Sequence, residues 1–146
     1  MPALLESPPS EPPRARSSSS GGFFLYVVPT LLYIGAVFAS GIMRGGPAFP
    51  SLGPLPRDKV AHFVAFGGMA LVVLRTVRFT MGELRLRTQL AVAVAVASVL
   101  GALLELVQAA LPFRDAELLD WVADTLGALA AAAFAWRALR LPREPK

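Results

Sequence analysis

Four long apolar segments constrain this chain more than any motif does. They cover approximately residues 23–43, 58–74, 90–111 and 118–139, and a helix needs roughly 20 residues to cross a bilayer. The composition agrees, because 55% of the 146 residues are hydrophobic and only 16% are charged, whereas soluble domains carry about 25% charged residues. The sequence therefore predicts an all-α fold, an integral membrane bundle of four transmembrane helices.

The segments outside these four spans contain few residues that can join a bundle. Residues 1–22 are rich in Pro, Ser and Gly, which predicts a disordered N-terminal tail. Residues 44–57 carry so many Pro and Gly residues that a loop is expected. The transmembrane domain is then predicted to cover 23–140, with a short tail at 141–146. Residues 23–43 are long for the apolar region of a signal peptide and follow a polar stretch without a convincing cleavage site, which indicates an uncleaved first helix.

Lysine and arginine residues are distributed unevenly around the predicted spans. Ten lie in the two tails and the second connection, and four lie in the other two connections. Basic residues are retained on the cytoplasmic side, so both termini are predicted to be cytoplasmic. A composition rich in Ala, Arg, Pro and Gly indicates a bacterial source, hence a multi-pass protein of the inner membrane. The expected partner is the lipid bilayer and not nucleic acid, because no basic amphipathic segment lies outside the spans.

Ionisable and polar residues lie at three span ends that this topology brings to the outer membrane face. The pairs Asp58/His62 and Asp120/Asp124 are each four residues apart, and Glu105 precedes Gln108 by three, so each pair shares one helix face. Charges are costly in a bilayer and usually mark function. Arg114 is expected to neutralise the acids, Glu105 above all. The predicted binding or functional cluster comprises Asp58, Lys59, His62, Glu105, Gln108, Arg114, Asp120 and Asp124.

Three sequence blocks resemble the VanZ-like membrane proteins. They are DKVAHF at 58–63, ELVQAALPFR at 105–114 and DWVADTLGA at 120–128. By this resemblance, the family's signature positions are occupied by Asp58, Lys59, His62, Glu105, Gln108, Pro112, Arg114, Asp120 and Gly127. The chain departs from the family pattern at Asp124, where many relatives have Asn, and at Ala131, where a second Gly is frequent. The family includes proteins associated with resistance to teicoplanin, so the resemblance implies a role at the cell envelope.

Three classes of function fit these residues. The first is a binding module for a lipid headgroup, a cell-wall intermediate or an amphiphilic antibiotic. The second is an enzyme acting on a lipid-linked substrate, with Glu105 or His62 as general base and water as nucleophile, since no Ser or Cys accompanies the blocks. The third is a structural subunit in which a buried ion network fixes helix packing. A metal site from His62, Glu105, Asp120 and Asp124 is possible in ligand type, but the spacing matches no known ligand motif, so we expect no cofactor and no metal. Catalytic turnover and oligomeric state stay open.

Overall fold

The structure, a computed structural model, describes residues 20–43 and 56–140. All regular elements among the described residues are helices and none is a strand, which confirms the all-α prediction. Four helices are long and apolar enough to cross a membrane, as expected of a multi-pass membrane protein. Their bounds are α1 Phe23–Ile42, α2 Arg57–Thr80, α3 Leu86–Ala109 and α4 Leu118–Arg140.

The second connection is shorter than the sequence predicted. Arg75 and Arg78 were assigned to that connection, but α2 continues through both of them to Thr80, and α3 already begins at Leu86. Arginine is a good helix former, and its long side chain can carry the charge beyond the apolar region. A basic residue therefore marks the membrane interface without ending the helix.

The chain enters α1 through a π-helical turn at Phe23–Val27, preceded by one α-helical turn at Ser20–Gly22. In a regular α-helix the ring of Pro29 would clash with the carbonyl four residues earlier, and the wider turn, which ends at Val27, contains that residue, Leu25. Of the predicted disordered tail at 1–22, only these last three residues are described, and they are helical. Residues 44–55 of the predicted loop and the tail at 141–146 lie outside the described residues.

The buried residues of α2 recur every three or four positions, from Phe66 and Met69 to Val77, as one face of a helix requires. This face packs most extensively against α4 and next against α3. Small residues allow the close approach: a Cβ on Gly127 would overlap the backbone of Phe63, and one on Gly67 would lie 3.2 Å from the Gly127 carbonyl oxygen. Helices α2 and α4 thus touch through backbone near one end.

Helix α1 lies at the side of this three-helix core and is attached by hydrogen bonds. The Tyr33 hydroxyl donates to the Ala65 carbonyl at 3.0 Å, and the Thr30 hydroxyl donates to the Val72 carbonyl at 3.1 Å. Large apolar side chains such as Leu32, Val99 and Phe134 stay exposed on the outer surface of the bundle. A bilayer is the surrounding in which such a surface is stable.

Candidate functional site

The buried faces of the helices change from apolar to polar toward one end of the bundle. On α3 the buried positions begin with Gln89, continue through apolar residues such as Leu90 and Ala93, and end with Glu105 and Gln108; on α4 they begin with Asp120 and Asp124. These charged side chains occupy positions that would otherwise hold core residues. We define the polar cluster as the interacting group at this end: Asp58, Lys59 and His62 of α2, Glu105 of α3, Glu117, and Asp120 and Asp124 of α4.

Lys59 is the hub of one half of the polar cluster. Its ammonium Nζ lies 2.7 Å from Glu117 Oε2, 2.7 Å from Asp120 Oδ1 and 3.1 Å from Asp58 Oδ2. An ammonium group has three N–H donors, so these carboxylates use all of its hydrogen-bonding capacity. The adjacent Asp58–Lys59 ion pair is therefore part of a larger network that joins α2 to the start of α4.

His62 is the hub of the other half. Its Nδ1 lies 2.9 Å from Oδ1 of Asp124, which has no exposed surface. Asp124 fits between the helices because residue 101 is glycine, where an added Cβ would lie 2.6 Å from Asp124 Oδ2. The second carboxylate neighbour of the ring is Asp120, whose Oδ2 lies 3.9 Å from His62 Nε2. The imidazole thus stands between two acids of α4.

Glu105 approaches the same imidazole from α3. Its Oε2 accepts a hydrogen bond from the Glu117 backbone N–H at 2.9 Å, and its Oε1 lies 4.0 Å from His62 Nδ1. The residue is 8% exposed. Oε1, like Asp124 Oδ2, is buried and makes no hydrogen bond with any part of the chain that the structure describes. Two buried acceptors therefore lack a donor, which is unusual for groups so costly to bury.

Two of the eight predicted residues face helix α1 instead of the polar cluster. Gln108 Nε2 donates to the Gly41 carbonyl at 3.0 Å, and Arg114 Nη2 donates to the Met43 carbonyl at 2.6 Å. The predicted pairing of Arg114 with Glu105 is wrong, because the Arg114 side chain extends toward the end of α1. Lys59 pairs with three other acids, Asp58, Glu117 and Asp120. Gln108 and Arg114 instead attach the end of α1 to the bundle.

The sequence analysis missed Glu117, which links both halves of the polar cluster. Its carboxylate binds Lys59 and its backbone N–H binds Glu105. A signal was present, because Glu117 precedes Asp120 by three residues and so lies above it at the start of a helix. Glu117 was not predicted because it lies in a short connection between two spans, which has no hydrophobic periodicity.

The polar cluster contains far more negative than positive charge. Its five carboxylates face one lysine and one histidine, so at least three negative charges remain uncompensated when all the acids are ionised. Two sets of donor atoms lie within 4.8 Å of one another, as a metal ion would require: His62/Glu105/Asp120 and Asp58/Glu117/Asp120. In the second set, Lys59 already binds all three acids. The arrangement can therefore bind a cation or a group rich in hydrogen-bond donors.

The opposite end of the bundle has a different chemistry. A cavity of about 1000 Å³ lies there between α2, α4 and the start of α1, lined by Tyr26, Arg75, Phe79 and Phe134 among others. The Arg75 guanidinium lies 4.9 Å from the centre of the Tyr26 ring, a cation–π contact. Its lining is mainly apolar and includes Arg75, Arg78 and Glu83, whereas the polar cluster brings five carboxylates together with a lysine and a histidine, so the candidate site is the polar cluster.

Comparison of the chain with known protein families, with curated proteins and with solved structures finds no match.

Proposed function

We propose that the protein is a VanZ-like membrane protein of the bacterial cell envelope that binds the polar headgroup of an amphiphile through the polar cluster. The headgroup belongs to a membrane lipid, a lipid-linked cell-wall intermediate or an amphiphilic antibiotic. The chain lies in the inner membrane with both termini in the cytoplasm, so the cluster faces outward. The uneven distribution of basic residues supports this orientation, and the three sequence blocks support the family and its link to the envelope.

The observation that carries the proposal is the pair of buried carboxylate oxygens without a donor. Glu105 Oε1 and Asp124 Oδ2 are both buried, and no described residue donates to either. An uncompensated buried acceptor costs about 1–3 kcal/mol, and more when it is charged. A protein tolerates such a cost where a ligand supplies the missing partner.

The same geometry defines the chemistry of the ligand. Because the three N–H groups of Lys59 donate to Asp58, Glu117 and Asp120, none remains for an anionic headgroup. The atoms that lack partners are acceptors, so the ligand must present N–H or O–H donors or a positive charge. The headgroup is therefore an aminated one. Amine groups of this kind occur on phospholipids, on cell-wall peptides and on peptide antibiotics.

The test compares two lipids that differ in their donors. The full chain, reconstituted in nanodiscs, is titrated with phosphatidylethanolamine, whose ammonium group carries N–H donors, and with phosphatidylcholine, whose trimethylated amine carries none. We expect at least a tenfold preference for the ethanolamine lipid, lost in Glu105→Gln. Asp115→Asn removes an exposed acid beside the cluster and should keep the preference. Equal binding of both lipids, or a preference unaffected by Glu105→Gln, overturns the aminated-headgroup proposal.

A second candidate is an enzyme that hydrolyses a lipid-linked substrate. It is favoured by the hydrogen bond between His62 Nδ1 and the buried Asp124, which is how general bases are oriented in hydrolases. Incubation of the protein with membrane lipids in ¹⁸O-labelled water distinguishes the two. An enzyme incorporates label into a product and loses this activity in His62→Ala, whereas a binding protein incorporates none.

A further inference from the structure

We propose that His62, Glu105 and Asp120 bind a divalent transition-metal ion, with Zn²⁺ as the best match, and that Asp124 orients the histidine ligand. One donor atom from each of the three residues lies within 4.8 Å of the other two. The residues come from three different helices, so the site depends on the folded bundle and leaves no ligand motif along the chain. This explains why spacing alone led us to expect no metal.

Each of the two carboxylates has one oxygen anchored and the other directed toward His62. Asp120 Oδ1 is held by Lys59 at 2.7 Å, and its Oδ2 lies 3.9 Å from His62 Nε2. Glu105 Oε2 is held by the Glu117 N–H at 2.9 Å, and its Oε1 lies 4.0 Å from His62 Nδ1, the ring nitrogen on the other side from Nε2. Donors around a tetrahedral Zn²⁺ are about 3.3 Å apart, given metal–ligand bonds of about 2.0–2.2 Å. The 3.9 Å between Asp120 Oδ2 and His62 Nε2 is longer than this, so the side chains must move closer together to bind the ion.

Asp124 contacts the ring nitrogen of His62 that is not the proposed metal ligand. Its Oδ1 accepts the Nδ1–H of His62 at 2.9 Å, which leaves Nε2 with its lone pair as the ligand atom. Metal-binding histidines commonly donate their second N–H to a carboxylate in this way. Asp124 has no exposed surface and is backed by Gly101, so it can hold the ring in one orientation.

Two further observations point to a cation. Glu105 is more than nine-tenths buried and its Oε1 has no donor among residues 20–43 and 56–140, so a ligand is needed to satisfy it. The neighbouring acid set, Asp58/Glu117/Asp120, shares one residue with the proposed site but holds Lys59 at its centre. The lysine thus serves one half of the polar cluster, and a metal ion would serve the other.

The ligand atoms select the kind of ion. Mg²⁺ and Ca²⁺ prefer oxygen ligands throughout, whereas an imidazole nitrogen suits Zn²⁺ and other first-row transition metals. One histidine and two carboxylates leave a fourth coordination position open. The inference goes beyond the proposed function, because the ion, and not an aminated headgroup, would then satisfy Glu105 Oε1. Metal binding can nevertheless be measured without any headgroup, so either proposal can fail while the other stands.

The test measures the metal content of the full-length protein. After purification in detergent and removal of metal with a chelator, the wild-type chain should bind about one Zn²⁺ by calorimetry and elemental analysis, and Mg²⁺ at least a hundredfold more weakly. His62→Ala and Glu105→Gln should each weaken Zn²⁺ binding at least tenfold. Asp124→Asn, which keeps the shape of the orienting residue, should weaken it by about 10–100-fold.

Asp115→Asn is the control, because Asp115 is an exposed acid near the cluster but outside it. If a variant fails to fold, the wild-type protein loaded with Co²⁺ in place of Zn²⁺ still provides a test. The visible absorption bands of bound Co²⁺ report its nitrogen and oxygen ligands directly. Wild-type protein that binds no Zn²⁺, or that binds Zn²⁺ and Mg²⁺ equally, overturns the inference. Zn²⁺ binding that survives in folded His62→Ala and Glu105→Gln variants overturns it as well.

Discussion

His62 Nδ1 lies 2.9 Å from Asp124 Oδ1, although 62 residues separate them in the chain. The two helices approach closely enough because Gly127, one turn after Asp124, packs on the backbone of Phe63, the residue after His62. The His62–Asp124 contact and the Phe63–Gly127 contact are therefore neighbouring parts of one interface between α2 and α4. The packing of α2 on α4 determines the geometry of the polar cluster.

Gly127→Ala should weaken this interface. The added Cβ would overlap the backbone of Phe63, and backbone cannot move aside as a flexible side chain can, so we expect a loss of about 1–3 kcal/mol in the free energy of unfolding. Gly35→Ala is the matched control, since nothing lies within 4 Å of a Cβ there and alanine is the better helix former. Thermal unfolding in detergent compares the two. Equal effects of both changes would show that α2 and α4 do not touch at Gly127.

Lys59→Met should destabilise the bundle through the acids it leaves behind. Asp120 is buried and would lose its cation, whereas Asp58 and Glu117 are exposed enough to recover water. We expect a cost of about 1–3 kcal/mol, between the values for exposed and buried ion pairs. Asp120→Asn in the Lys59→Met background should restore part of this loss, because both charges are then absent. A double-mutant cycle with no coupling between the two changes contradicts the ion pair.

Arg114 and Glu105 should behave as independent residues. Each has its own partner in the structure, the Met43 carbonyl for Arg114 and the Glu117 N–H for Glu105. The effects of Arg114→Ala and Glu105→Gln on stability should therefore add to within about 0.5 kcal/mol. A larger coupling energy in the same cycle would restore the pairing that the sequence predicted.

The sequence predicted the helices and the end of the bundle at which the polar residues meet. It did not predict which residues form ion pairs, and both outcomes have physical causes. Four apolar segments and their breakers predicted the four helices, because apolar length and backbone chemistry are local properties. The convergence of Asp58, His62, Glu105 and Asp120 at one end followed from alternating helix directions. Which cation neutralises which acid depends on how the helices are rotated about their axes, and that is set by contacts such as the one at Gly127, distant in sequence. Arg114 was therefore paired wrongly.

Cysteine labelling tests the proposed orientation without interference, since the chain has no native cysteine. Ala116 lies beside the polar cluster and Met81 lies in the connection at the opposite end, and both are exposed. Because basic residues are retained in the cytoplasm, Ala116→Cys should react with an impermeant thiol reagent added to intact cells, and Met81→Cys should react only after lysis. The reverse result would put the polar cluster on the cytoplasmic face.

The final prediction separates a ligand site from a packing network, which use the same residues for different purposes. If the polar cluster binds a ligand, Glu105→Gln should abolish function, because it removes the charge on an oxygen that has no hydrogen-bond partner among the residues that the structure describes. The melting temperature should stay within a few degrees or rise, since binding sites commonly give up stability for function. A network that only fixes helix packing predicts the opposite, a loss of stability in proportion to the loss of function.

A deletion strain complemented with each variant is grown with cell-wall antibiotics, and the purified variants are melted in detergent. Gly127→Ala serves as the reference for a purely structural defect. If Glu105→Gln loses growth and melting temperature in the same proportion as Gly127→Ala does, the ligand site is refuted.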